Sequence, residues 1–440
     1  MRILMISDHA DPLAEIGSKE AGGQNIYVYN LSLLLARAGF HVDVFTRWDK
    51  KNKREVIKIN HHLRIIRVKA GPKKYMPRDN FLKVLDQFRD NIMKRIETEN
   101  LYYDVIHTNY WFSGLAGTKI AKKLKIPQAH IHHSIGRMRY DILKKYKLQK
   151  QDYHFFQIRM RSEKKIADSS SIIIASSPVE QKYIKSLFKI GKEKIAVIPI
   201  GVDLKYFHPQ KFRKKKVERS EGEKIILYVG RIEWRKGIST LLYAMREVLG
   251  QHPKAKLLII GGGRTKSARE LEQSEIERQA KIIKELNLEN KVFYLGPKSQ
   301  KELSYYYNLA DVCVVPSYYE PFGIVPLEAM ACGTPVVATK TGGLQYTIKN
   351  NSTGHLVKPR NFKDLSKKIS LVLNRGKGYY SKNCLLRINK NFTWEEIVKR
   401  YAVFLEQLAL KKEIHENRDT FSVRRICSSG KVRWNRASRL

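Results

Sequence analysis

The chain alternates short apolar, strand-like runs with helix-like ones, and it does so twice over. In the first half the strand-like runs fall at residues 2–7, 41–47, 63–70, 104–109, 128–133 and 171–176, with helical spacing at 25–39 and 81–100. After Ile198-Pro-Ile-Gly-Val-Asp203 comes a polar, charged stretch, residues 209–223, that reads as a linker. The alternation then restarts at 224–230, 256–261, 291–296, 311–317, 334–339 and 355–357. Strands joined through helices run parallel, because a parallel neighbour needs a long crossover. Two such series predict an α/β fold of two facing, doubly wound Rossmann-like domains, residues 1–200 and 224–390, joined by a linker at 201–223. From about residue 411 the periodicity stops and the chain ends in a basic run, so 411–440 is expected to be a disordered tail.

Composition narrows the function classes. A chain of 440 residues with 42% hydrophobic and 10% aromatic residues can bury two sizeable cores. No apolar stretch approaches the roughly 18 residues of a membrane-crossing helix. The N-terminus runs from Met1-Arg2 directly into a strand without a signal-peptide pattern. Cys313, Cys332, Cys384 and Cys427 lack the close paired spacing of a zinc site or disulfide framework. A cytoplasmic protein is expected. The formal charge of +42 favours anionic partners, either phosphorylated substrates or the anionic inner face of a membrane. The basic residues are spread through 50–54, 144–150, 159–165 and 211–216, and no nucleic-acid-binding signature accompanies them, so nucleic acid is not expected as the main ligand.

Chemistry concentrates near the end of the second series. Glu320 and Glu328 bracket a Pro-Phe-Gly turn, with a strand-like run before it and a short helix-like run carrying Glu328. Open parallel sheets bind ligands at such strand carboxyl ends. Free backbone N–H groups at the start of a helix favour anions, and a carboxylate two turns in offers two acceptor oxygens to neighbouring hydroxyls. A ligand with both phosphate and vicinal hydroxyls fits, as in a sugar nucleotide. Gly22 and Gly23, between the first strand and first helix, let backbone amides approach a phosphate or sugar. Arg231 and Lys236 follow the first strand of the second half and together can neutralise a diphosphate.

The run His130-Ile-His132-His133 invites a metal reading, but strand alternation sends His132 and His133 to opposite faces. One histidine at the strand end is expected to face the crevice while the others pack. Arg137, Arg139, Arg159 and Arg161 follow that strand and either converge as an anion pocket or line a solvated helix face.

Together these segments resemble the retaining glycosyltransferases of family 4, with the GT-B fold, over residues 1–408. The resemblance rests on Ala21-Gly-Gly-Gln-Asn25, Val197-Ile-Pro-Ile-Gly-Val-Asp203, Gly230-Arg-Ile-Glu-Trp-Arg-Lys-Gly237 and the stretch from Pro316 to Val337. Ala21–Val28, His107-Thr-Asn-Tyr-Trp111 and His133-Ser-Ile-Gly-Arg137 are most similar to sucrose-phosphate synthases and D-inositol-3-phosphate glycosyltransferases. The resemblance implies that His133, Arg231, Lys236 and Glu320 are catalytic. It implies donor binding by Gly22, Gly23, Phe322, Gly323, Ile324 and Glu328, the last on the ribose diol. Asn25 and Tyr110 would face the acceptor, and Lys74, Arg139, Arg159 and Arg161 would hold an acceptor phosphate. It also implies a helix over 391–410 that packs back on the first domain.

A hexose-type sugar would move from a nucleoside diphosphate, UDP by family resemblance, to a sugar-phosphate or inositol-phosphate-like acceptor. Fixed cations and amides would stabilise charge on the leaving oxygen. The family's same-face retaining route needs no protein general base. No Asp-x-Asp signature is present, and no metal or other cofactor is expected. Two alternatives remain open: a glycolipid or polysaccharide-precursor acceptor at a membrane surface, and a non-catalytic basic binding protein.

Overall fold

The computed structural model describes residues 1–14, 22–145, 153–210, 220–263 and 266–418. Strands β1 (Arg2–Ile6), β2 (His41–Arg47), β3 (Val56–Asn60), β4 (Leu63–Val68), β5 (Val105–Asn109), β6 (Gln128–Ile131), β7 (Ile172–Ala175) and β8 (Ile195–Val197) form one sheet. Its order is β3-β4-β2-β1-β5-β6-β7-β8, parallel except for β3 against β4. Strands β9 (Lys224–Val229), β10 (Ala255–Ile260), β11 (Val292–Gly296), β12 (Val312–Val315), β13 (Val336–Thr339) and β14 (Gly354–Val357) form a second, wholly parallel sheet in the order β11-β10-β9-β12-β13-β14. The order reverses between β1 and β5 in one sheet and between β9 and β12 in the other, the points where doubly wound sheets open ligand crevices.

Burial explains why these runs were readable. Ile3, Leu4, Met5 and Ile6 on β1 and Val312, Cys313 and Val314 on β12 are fully buried, as expected of strands covered by helices on both faces. All twelve apolar runs form strands. The two unexpected strands lack that signature: β3 is a half-exposed antiparallel edge, and β8 is three residues long. The segment 81–100 divides into a 3-10 stretch, Arg78–Val84, and an α-helix, Leu85–Thr98.

The last helix, Trp394–Arg418, corrects the expectation of disorder from residue 411. Residues 411–418 are mostly strong helix formers without glycine or proline, so intrinsic propensity extends the helix where apolar spacing gives no sign. Residues 419–440 lie outside the described residues. Among those described, no helix is long and apolar enough to cross a membrane.

That helix ties the two halves. The Val202 amide donates to the Phe392 carbonyl at 2.8 Å as the chain returns toward the first sheet. Trp394, 3% exposed, packs its indole 6.0 Å from the Tyr27 ring on helix Gly23–Arg37, and the Tyr401 hydroxyl meets that of Tyr27. The Tyr401 ring also lies 5.8 Å from His107 of β5. Trp394→Ala should therefore cost about 3–5 kcal/mol through an unfilled cavity, read as a lowered midpoint in urea unfolding.

Candidate active site

The second sheet contributes three strand ends. Beyond β9, the 3-10 turn Trp234–Lys236 closes on Gly237, whose φ of 72° is left-handed. A Cβ there would lie 2.1 Å from the Pro316 carbonyl oxygen, so only glycine lets the β9 and β12 ends approach this closely. Lys236 is thereby delivered to Glu320, with Nζ 2.5 Å from Oε2. The turn after β13 braces the backbone of the same residue: Gly342, at φ 46°, leaves room for the Glu320 carbonyl, and the Gly343 amide donates to that carbonyl at 3.2 Å.

Arg231 is half-exposed, with Nη1 3.2 Å from Glu233 Oε1, and Arg235 Nε donates to Glu233 Oε2 at 2.6 Å. Burial alone would raise the Glu233 carboxyl, but Arg235, Arg231 and Lys236 hold it down at about 2. Phe322 is buried and Gly323 caps helix Ile324–Ala331, which places Glu328 inside the lobe, 6% exposed. Tyr307 donates its hydroxyl to Glu328 Oε2 at 2.7 Å. Burial raises the Glu328 carboxyl to about 7 against the relief of that one bond.

The first sheet supplies the facing wall. Gly22 and Gly23 open helix Gly23–Arg37 directly opposite the second lobe. A Cβ on Gly22 would come within 2.9 Å of Arg231 Nη2, and one on Gly23 within 3.2 Å of Ile324 Cδ1. His133 lies two residues past β6 in a left-handed conformation, φ 55°, with Nε2 2.9 Å from Asn109 Oδ1. The Asn109 amide nitrogen donates to the Ile6 carbonyl, so Oδ1 accepts and His133 Nε2 carries the proton. Burial, aided by His107 and His9, drives this imidazole down to about 3 and keeps it neutral near pH 7. His130 and His132 are interior: His130 Nδ1 meets Thr108 at 2.9 Å and its Nε2 meets His132 Nδ1 at 3.2 Å. Among the described residues, no three metal-ligating side chains converge.

The expected acceptor residues are brought together only in part. Tyr110, 4% exposed, lies at the end of β5 with the Arg159 guanidinium 5.1 Å from its ring. Asn25 commits its side chain to the backbone, accepting from the Gly22 amide at 2.9 Å and donating to the Asp11 carbonyl at 2.8 Å. It shapes the glycine turn rather than presenting a free amide. Arg159 is 1% exposed and pairs with the buried Glu163 at 2.7 Å, while Glu163 accepts from the Gly136 amide. Arg161, two residues along the same helix, faces solvent; Arg139 is half-buried on the preceding helix, and Lys74 is exposed beyond β4. Two residues turn a helix by about 200°, so Arg159 and Arg161 cannot share one pocket on that helix.

Sequence reasoning missed Tyr319. Its hydroxyl, one residue before Glu320, crosses to the first lobe, accepting from the Ile135 amide at 3.3 Å and lying 3.4 Å from Ser134 Oγ. Nothing in a Tyr-Tyr-Glu run signals such a crossing. Tyr307 was equally unmarked, since only folding sets it against Glu328.

This arrangement has known counterparts. Residues 21–206 match the family described as Glycosyltransferase Family 4, and residues 209–383 match Glycosyl transferases group 1. A D-inositol 3-phosphate glycosyltransferase of Corynebacterium jeikeium (strain K411) is 35% identical over 364 residues, 81% of this chain and 84% of that protein. The chain belongs to glycosyltransferase family 4. A second D-inositol 3-phosphate glycosyltransferase, from Mycolicibacterium smegmatis, is 32% identical over 85% of this chain and 84% of its own length. The sucrose-phosphate synthase of Thermosynechococcus elongatus has a TM-score of 0.82 and 37% identity, covering 92% of this chain and 98% of that one. HepE of Anabaena, solved in complex with UDP and glucose, shares the fold at a TM-score of 0.68 and 19% identity, over 92% of this chain and 100% of that one. The similarity to family 4, the GT-B architecture and the glycosyltransferase assignment read from the motifs therefore stand.

Two outcomes follow for this glycosyltransferase. The Glu328 carboxyl is raised from 4.5 to about 7, so its contribution to folding is fully present below 4.5 and lost as pH rises through about 7. On the expectation that the ionised Glu328 accepts the ribose diol of a UDP-sugar, calorimetric titration with UDP-glucose should show binding about tenfold tighter at pH 8 than at pH 6, with Glu328→Gln abolishing the dependence. Arg159→Ala leaves Glu163 uncompensated and should lower stability by about 3–5 kcal/mol in urea unfolding.

Proposed function

We propose that this enzyme transfers a hexose-type sugar from a UDP-sugar to a sugar-phosphate or inositol-phosphate-like acceptor, with retention. The observation that carries the reading is the meeting of Arg231 with the Gly22 turn across the cleft, beside the Lys236–Glu320 pair. A diphosphate laid along that line would be flanked by two cations on one side and by approachable backbone on the other. Breaking the sugar–phosphate bond builds charge on the leaving oxygen, where Arg231 and Lys236 would stabilise it without reorganisation. Each cation now rests on a carboxylate, so the diphosphate would take over positive charge already held in place. Glu320, released from Lys236, would accept hydroxyls of the donor sugar, and Glu328 those of the ribose. Neutral His133 would contact the transferring sugar as a polar, uncharged neighbour.

The acceptor would lie against Tyr110 and His133 on the first lobe, where Arg159, its charge matched by Glu163, backs the Tyr110 ring, and Arg139 and Lys74 remain the candidates for an acceptor phosphate. The identities and names of the two families of relatives support a phosphorylated acceptor. The exposed Arg137 and Lys164 pair with Asp141 and Asp168 on their own helices, which weakens these faces for anionic lipid and favours a soluble acceptor. We further propose that no metal is needed, the two cations doing its electrostatic task. A cytoplasmic setting accords with Cys313, Cys332 and Cys384, which are free and buried.

A screen for UDP release across UDP-sugars, with and without hexose phosphates and inositol 3-phosphate, tests the reading; release independent of every acceptor would oppose it. Lys236→Ala and Arg231→Ala should each lower kcat by about 100- to 1,000-fold in that assay. Excess EDTA should leave the wild-type rate unchanged, and loss of activity would refute metal independence.

A further inference from the structure

We propose that Tyr319 is a positioning residue for sugar transfer: its hydroxyl, reaching across the cleft to the Ile135 amide, sets the distance between Glu320 and His133. This role rests on the reading that the sugar is transferred in the cleft between the lobes.

The loop after β6 is held at Ser134, Ile135 and Gly136 in turn. The Ser134 carbonyl accepts from Arg159 Nη2 at 2.5 Å. The Gly136 amide donates to Glu163 at 2.9 and 3.0 Å. Between them, the Ile135 amide donates to the Tyr319 hydroxyl at 3.3 Å, with Ser134 Oγ 3.4 Å from the same oxygen. The outer holds come from the buried Arg159–Glu163 pair of the first lobe, whose charges gain little stability from burial alone. A Cβ on Gly136 would lie 3.0 Å from Arg159 Cδ, so the loop sits directly on that pair. The middle hold comes from the other lobe. The loop is a fixed socket, and Tyr319 is what enters it.

Tyr319 is placed just as firmly. The Tyr318 amide donates to the Arg235 carbonyl at 2.7 Å, and Arg235 Nε is held by Glu233 at 2.6 Å. The next residue, Glu320, meets Lys236. On the facing side, His133 lies two residues before Ile135, and its Nε2 rests on Asn109. Each segment is therefore rigid within its own lobe, yet neither sheet sets the gap between them. Domains of one chain move relative to one another unless a contact prevents it. Tyr319 and Ile135 are both buried, so the bond between them is shielded from water. One hydroxyl thereby couples the Glu320 segment to the His133 loop. The gap matters because transfer demands near-attack geometry, where a misplacement of about 1 Å can cost about 100-fold in rate.

Tyr319→Phe keeps the ring and removes only the oxygen. UDP release from UDP-glucose with hexose 6-phosphates and inositol 3-phosphate gives its kcat and KM, calorimetry its UDP Kd, and thermal unfolding its fold. The kcat should fall about tenfold, as for one lost hydrogen bond, with UDP-glucose KM and UDP Kd within about twofold of wild type. A loss of packing alone would lower stability without that split. Hydrogen exchange gives a readout independent of any acceptor: the Ile135 amide should exchange about tenfold faster in Tyr319→Phe. A kcat within twofold of wild type, or unchanged exchange at Ile135, overturns the proposal while the acceptor reading stands. A UDP Kd that weakens as much as kcat falls also overturns it, since Tyr319 would then act on the second lobe alone. If wild type uses none of these phosphates, the acceptor reading falls, and exchange at Ile135 decides the Tyr319 contact by itself.

Discussion

Backbone pressed against backbone is the constraint on which this site depends. Gly237 lies where any side chain would strike the Pro316 carbonyl, and Gly342 where one would strike the Glu320 carbonyl. Those two approaches bring the ends of β9, β12 and β13 into a single patch. Lys236 then meets Glu320 at 2.5 Å without either side chain having to search for the other. A cation held in advance is worth more to a charge-building step than one recruited from solvent, because the reorganisation is completed during folding.

The lobes manage charge in opposite ways. In the second lobe, three cations crowd Glu233 and hold its carboxylate ionised, while Glu328 is left with one hydroxyl and a carboxyl near the neutral range. One carboxylate is held ionised by its cations; the other is held near neutrality by burial. In the first lobe burial dominates instead. His107, His130, His132 and His133 are all driven toward the neutral form by desolvation, so these four imidazoles are polar but uncharged beside the buried Arg159–Glu163 pair. Tyr319 links the two regimes, since it stands beside Glu320 and bonds to the loop that follows His133.

Much of the fold was legible because parallel strands buried on both faces are largely apolar, as β12 is throughout and β1 and β9 are after their first residue. The half-exposed edge β3 and the brief β8 carry no such run and went unread. The end of the last helix was misjudged because residues 411–418 have propensity without apolar spacing. In the site, Arg231, Lys236, Glu320 and Glu328 were legible from their place after strands or within a short helix. Asn25 and Arg159 were legible as polar groups near the first-lobe crevice, but not as groups already engaged with the Gly22 turn and with Glu163.

Local order along the chain determined the twofold β/α plan, the positions of the strand ends and the residue types gathered there, because hydrophobic period and glycine placement act over a few residues. Tertiary structure alone decided which groups meet: Arg231 with the Gly22 turn, Tyr319 with Ser134 and Ile135, Tyr307 with Glu328, and Asp8 with Ser113. Those partners lie between 21 and 209 residues apart, the latter for Gly22 and Arg231 (231 − 22 = 209). No local rule reaches that far; only the packing of two sheets and the return of the last helix sets such distances.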